Sequence, residues 1–336
     1  MKWEFENITI DDGSQVLAQA PVIISASRST DIPTFYADWF VERWKAGYVK
    51  WKNPFNGVPL YVSFKKARAV IFWTKNPRPM FKHLDFLNEQ VKNYYFQFSL
   101  NDYDAEGYEE KVPSVEARIK TFIELSNKIG KDRVVWRFDP LLMTEDIGVN
   151  ELLMRVEKIG DQLYPYTNKL VFSFADIGIY KKVQSNLKKN HINYNEFTEE
   201  DMIQFAKGLK TLNSGWGLEL ATCAEKFDLN KYGISHNKCI DDDLLIKLFS
   251  KDKELMQFLG VSFEAPTIFE PNHTIVRTKK IDDKGQREAC GCIMSKDIGE
   301  YNTCPHGCVY CYANSSKENA LMNYKNHIAN DLRESI

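Results

Sequence analysis

The residues in this 336-residue chain best equipped for chemistry are its seven cysteines, and they are unevenly placed: none occurs before position 223, and five crowd into 290–313. Cysteines used only as small core residues should scatter more evenly. An odd number in a chain with no secretory start argues against a disulfide framework and for metal or redox chemistry. Cys304, Cys308 and Cys311 lie in YNTCPHGCVYCYA (301–313), spaced C-x3-C-x2-C. This spacing supplies three thiolates from one tight loop, unlike the four-cysteine runs of bacterial ferredoxins. A four-iron cluster held there would keep one iron open to an outside ligand. Pro305 and Gly307 suit a loop that wraps around such a group, proline by pre-setting a turn and glycine by tolerating unusual backbone angles. The alternative is a zinc site with His306 as fourth ligand.

The segment CPHGCVYCYA, with an aromatic residue before its last cysteine, resembles the cluster loop of the radical S-adenosylmethionine superfamily, and especially that of spore photoproduct lyase and its relatives. The resemblance implies a [4Fe–4S] cluster whose open iron chelates the amino and carboxylate groups of S-adenosylmethionine. It also implies reductive cleavage to a 5′-deoxyadenosyl radical that abstracts hydrogen from substrate, in a lyase- or oxidoreductase-like reaction. The protein would supply binding and orientation. In that superfamily the loop usually follows the first strand, whereas here it stands near the C-terminus. The whole chain is similar to domain-of-unknown-function family 1848, through SASRSTDIP (25–33), FWTKNP (72–77), QFSLND (97–102), WRFDPL (136–141), ATCAE (221–225) and the cysteine-rich stretch 290–313.

Cys223, Cys239, Cys290 and Cys292 remain, and four is the number that fully ligates a second, auxiliary [4Fe–4S] cluster. A four-cysteine zinc site is one alternative. Another is that Cys223 is free and returns a hydrogen atom to a substrate radical, a role known for a cysteine in spore photoproduct lyase.

Apolar runs suited to strands covered on both faces occur at Val22–Ser27, Ala69–Thr74, Tyr94–Leu100, Val134–Phe138, Lys169–Phe174 and Gly217–Thr222. Helical patterns alternate with them at Pro33–Ala46, Pro79–Lys92, Ser114–Ile129, Val149–Tyr164 and Glu196–Leu212, and Asp241–Leu259 follows. This alternation predicts a parallel α/β fold, a full or partial (β/α) barrel of about six strands. Residues 1–265 would form the barrel domain. Residues 266–336 would form an irregular cysteine-rich Fe–S tail packed on its mouth.

Every predicted strand ends in polar residues, and in parallel sheets that edge is where chemistry is done. Routine helix capping is the plainer reading of any single one. Arg28 and Asp31, after the first strand, become candidates to face substrate, with Cys223 as a third catalytic candidate. Ser99 and Asn101 resemble the mid-barrel residues that contact the ribose and amino-acid portions of S-adenosylmethionine in the superfamily. Arg137 and Lys75 could pair with its carboxylate or with an anionic substrate. Arg137 could equally form an internal salt bridge with Asp139 or Glu219. Tyr310 would pack on adenine or shield the cluster.

A net charge of −2 announces neither nucleic acid nor an acidic membrane surface. The run Trp39, Trp44, Tyr48 and Trp51 with its interleaved cations could stack single-stranded nucleic acid, a possible but not favoured partner; helix packing explains its tryptophans more simply. No stretch is long and apolar enough to span a membrane, so the expectation is a cytoplasmic enzyme that takes electrons from a reductant such as flavodoxin or ferredoxin. Two further readings are a non-catalytic iron–sulfur electron-transfer protein and a zinc-stabilised binding protein.

Overall fold

The computed structural model describes residues 3–264, 274–279, 281–283, 285–286, 290–330 and 333–336. Its main element is a sheet of eight strands, all paired in parallel. The six strands expected from sequence are present as Ile23–Ala26, Ala69–Thr74, Tyr94–Ser99, Val134–Leu141, Lys169–Phe174 and Glu219–Thr222. They lie side by side in chain order. A seventh strand, Ile234–His236, follows the sixth at one edge. The eighth, Lys296–Asp297, pairs with Ile24 and Ser25 at the other. These last two are too short to leave a periodic signal in the sequence, and so the tail contributes a strand to the sheet that sequence reasoning missed. The predicted boundary at 265/266 falls at residues outside the described ones.

Successive side chains on a strand point to opposite faces, and two apolar layers follow from that. One face carries Ile24, Val70, Phe72, Phe96, Phe98, Trp136, Phe138 and Phe172. It is covered by helices Ala37–Ala46, Val115–Ile129, Val149–Leu163 and Glu199–Trp216. In Val115–Ile129, Ser114 caps the N-terminus through the backbone N–H of Ala117, and Ile119, Phe122 and Leu125 recur at helical spacing on the buried side. Burying a side chain such as Phe122 contributes roughly 2–3 kcal/mol. The opposite face carries Ile23, Ala69, Ile71, Tyr95, Val135 and Val171. It packs against Asp242–Phe249 and Lys253–Leu259, which the sequence had read as one helix. Further along the same strands this face turns polar, through Ser25, Gln97, Ser99, Arg137, Asp139, Ser173 and finally Cys223.

A separate four-stranded sheet, ordered Glu4–Thr9, Gln15–Ala20, Pro59–Ser63 and Tyr48–Lys52, flanks the main one. The aromatic run sits at this junction. Trp39 and Tyr48 are buried, Trp44 stacks on Phe64, and Arg43 pairs with Asp11. Trp51 lies under Lys296 and donates to the Gly299 carbonyl. These rings are packing residues, which removes the basis for a nucleic-acid surface there. Among the described residues, no helix is long and apolar enough to cross a membrane.

Candidate metal centre

The loop carrying Cys304, Cys308 and Cys311 lies across segments that follow the carboxyl ends of the first three strands. Asp31 holds it from the first: one carboxylate oxygen caps Thr34 N–H at 3.0 Å, while the other accepts from Lys75 N–H at 2.7 Å and meets His306 Nε2 at 2.8 Å. Asp31 therefore tethers the loop to the first strand end. His306 is buried and turned toward Asp31, edge-on to Phe35. Its Nδ1 is buried without a hydrogen-bond partner. Tyr36 donates its hydroxyl to the Thr303 carbonyl at 2.6 Å, and Gly307 adopts φ +73°, as a wrapping loop requires.

The second and third strand ends meet the loop through a buried carboxylate that the sequence reading did not single out. Glu109 pairs with Lys75 at 2.6 Å and with the fully buried Arg118 at 2.9 Å, and it accepts from the Tyr310 hydroxyl. Its backbone bridges that of Cys308. Burial works against the Glu109 carboxylate, but Lys75 and Arg118 outweigh it and hold the pKa down to about 2. Asn101 donates to the Tyr310 hydroxyl at 3.0 Å and accepts from Asp139 N–H at 2.9 Å. Lys75, Asn101 and Tyr310 thus converge on one another, and their polar groups anchor the loop. Glu109 and Arg118 belong to no motif, and only tertiary contact reveals them.

Burial raises the thiol pKa of all three tail cysteines, Cys308 up to about 12, and for Cys304 the neighbouring Asp31, Cys311 and Cys308 add to the effect. Among the described residues, the sets of three or more Cys, His, Asp or Glu ligand atoms within 4.8 Å of one another comprise Asp241, Asp242 and Asp243 alone. Those acids are already paired with Lys169, Lys238 and Arg277. Three half-buried thiols on one loop, within range of one another's charge, form a donor set that an iron–sulfur group or a zinc ion could use.

The other four cysteines also meet, on the polar part of the inner face. Cys223 Sγ lies 3.2 Å from Cys239 Sγ, and Cys292 contacts both Cys239 and Cys290. Arg137 donates to Cys239 Sγ at 3.3 Å and to Gln97 at 3.2 Å, and it pairs with Asp139. The internal salt bridge with Asp139 that the sequence allowed is thus formed, and the same guanidinium contacts these thiols. Ser99 lies opposite Arg137 in strand register. Arg28 is close enough to Cys292, Cys239, Asp297 and Asp283 for their charges to hold its pKa up against burial, and its Nη2 is buried without a hydrogen-bond partner. Asp297, also missed by sequence reasoning, accepts from Ser25, Ser27 and Ser29 hydroxyls and from Arg28 N–H. It fixes the tail to the first strand.

Residues 23–313 match the family described as Domain of unknown function (DUF1848), and the chain belongs to that family. No curated protein matches. Among solved structures, a candidate alpha-L-fucosidase from Bacteroides thetaiotaomicron is similar at 14% identity, covering 58% of this chain and 74% of that one, with a TM-score of 0.24. At that score the likeness carries no argument.

Proposed function

We propose that this protein is a radical S-adenosylmethionine enzyme built on a partial (β/α) barrel. In this reading Cys304, Cys308 and Cys311 hold a [4Fe–4S] cluster with one open iron. The carrying observation is that three half-buried thiols of one loop are held at the carboxyl edge of the first three parallel strands. The in-order strand arrangement supports the barrel-like winding, because it leaves a face whose polar end lies beside that loop.

When bound and reduced, such a cluster supplies one electron to break a carbon–sulfur bond of S-adenosylmethionine, yielding a 5′-deoxyadenosyl radical that takes hydrogen from substrate. The chain's own residues do the rest. Lys75, Glu109, Arg118, Asn101 and Tyr310 fix the loop as a charge-compensated unit, so no large reorganisation accompanies a change in cluster charge. Phe35, Tyr36 and Tyr310 pack around the loop and limit water. Ser99, on the face opposite the large apolar layer, offers a hydroxyl suited to a polar cofactor or substrate.

The test is electron paramagnetic resonance on anaerobically reconstituted, dithionite-reduced protein, with and without S-adenosylmethionine. A [4Fe–4S]⁺ signal that changes with the cofactor, together with release of 5′-deoxyadenosine, is expected. A signal indifferent to S-adenosylmethionine would make the protein an electron carrier. A colourless protein with zinc and no iron would make it a zinc-stabilised binding protein.

A further inference from the structure

Three separated segments bring Cys223, Cys239, Cys290 and Cys292 together, and the groups around them are not those of idle core thiols. Two hydrogen bonds enter Cys239 Sγ, from Arg137 Nη1 and Asn237 Nδ2, each at 3.3 Å. Two more approach Cys292 Sγ, from the backbone N–H groups of Cys239 at 3.2 Å and Ile240 at 3.4 Å. All four are donors, so both sulfurs accept hydrogen bonds, as ligating sulfurs do. The segment is pinned where it is needed: Tyr95 and Gln97, one turn of the pleat apart on the inner face, both donate to the Cys239 carbonyl at 2.8 Å.

We propose that Cys223, Cys239, Cys290 and Cys292 form a second metal centre, an iron–sulfur cluster ligated by four thiolates, with Arg28 and Arg137 compensating its negative charge. A [4Fe–4S] core with four thiolates is dianionic when oxidised and trianionic when reduced. Two guanidiniums, one of them with a buried unpaired Nη2, suit that charge. Cys223 Sγ lies 3.2 Å from Cys239 Sγ and Cys292 contacts Cys239 and Cys290, so the four sulfurs are already gathered at one place.

This centre has no open iron, and Cys223 is a ligand rather than a hydrogen-atom donor. Its chemistry is outer-sphere: one electron arrives from a reduced low-potential carrier and one leaves, with no bond made or broken. Arg28 spans the space between the two cysteine groups. Its carbonyl accepts from Tyr312, the residue after Cys311, at 2.6 Å, while its charge acts on Cys292 and Cys239. That contact links the segment beside the second centre to the tail loop.

The experiment loads the full chain with ⁵⁷Fe and sulfide under anaerobic conditions. Mössbauer spectroscopy of the unaltered protein should find about eight irons per chain, with about four belonging to a cluster unaffected by S-adenosylmethionine. The variant Cys304→Ala/Cys308→Ala/Cys311→Ala should keep those four and their reduced-state resonance; Cys239→Ser/Cys292→Ser should lose them. Four irons in the unaltered protein, all lost in the tail variant while circular dichroism shows it folded, would overturn the proposal. One zinc retained in place of four irons would overturn it equally. The inference does not depend on radical chemistry: if the tail loop ignores S-adenosylmethionine, a persistent four-iron signal in the tail variant still stands by itself.

Discussion

The two cysteine groups of this molecule are assembled in opposite ways. The tail group takes three thiols from eight consecutive residues and is held from outside, by Asp31, Lys75, Glu109 and Asn101 on three strand ends. The inner group takes four thiols from three segments and is held from within, by N–H groups that donate to the sulfurs themselves. A local loop needs a scaffold to aim it. A dispersed set needs the fold to exist before it is a site at all. Disturbing the scaffold should therefore damage the tail group selectively, while changing charge at the inner group should alter its electronics more than its stability.

The largest effect is expected from Glu109→Ala, which strands Lys75 as a buried cation without its carboxylate and leaves the buried Arg118 with Asp104 alone. A destabilisation of about 3–5 kcal/mol should appear in denaturant unfolding. The iron of the tail loop should be lost before that of the inner group; loss of both together would dissolve the comparison. Next is Gly299→Ala. A Cβ there would sit 2.0 Å from Ser27 Oγ and 2.6 Å from Ser27 Cβ, so the tail could not seat against the first strand. Overpacking of this kind costs roughly 1–3 kcal/mol and should increase protease cleavage near residue 300.

Arg28→Gln removes a positive charge beside the inner thiols. The reduced, more negative state loses more stabilisation than the oxidised one, so redox titration should find the potential of the S-adenosylmethionine-indifferent signal shifted downward. An unchanged potential would mean that Arg28 serves another purpose. The smallest effect concerns Lys296, whose ammonium is buried against Trp51; burial lowers its pKa to about 8, with Asp297 opposing. A lowered folded-state pKa means that the unfolded chain binds more protons between pH 8 and pH 10.5, so this residue's contribution to stability rises with pH across that window. Lys296→Met should flatten that rise in thermal melts at successive pH values.

Where sequence reasoning fell short, the cause was usually the same. It found the tail loop because its chemistry is written in eight residues, and it found six strands because each is a run of four to eight apolar residues. It missed Lys296–Asp297 as a strand because two residues carry no period, and it missed Glu109 and Arg118 because a buried ion pair looks in sequence like ordinary surface charge. It placed Arg137 and Asp31 at strand ends, but not the contacts each makes with a residue distant in sequence, Cys239 for Arg137 and His306 for Asp31.

What the amino-acid sequence determined by itself was the composition of each site and the alternation of apolar runs that builds a parallel sheet. Local spacing decides whether three thiols can reach one group, and side-chain periodicity decides which faces must be buried. Only tertiary structure decided that Cys223, Cys239, Cys290 and Cys292 are neighbours, and that Arg28 stands between them and the tail loop. Contacts between residues tens to hundreds of positions apart depend on strand order and register, and no short stretch of sequence encodes either.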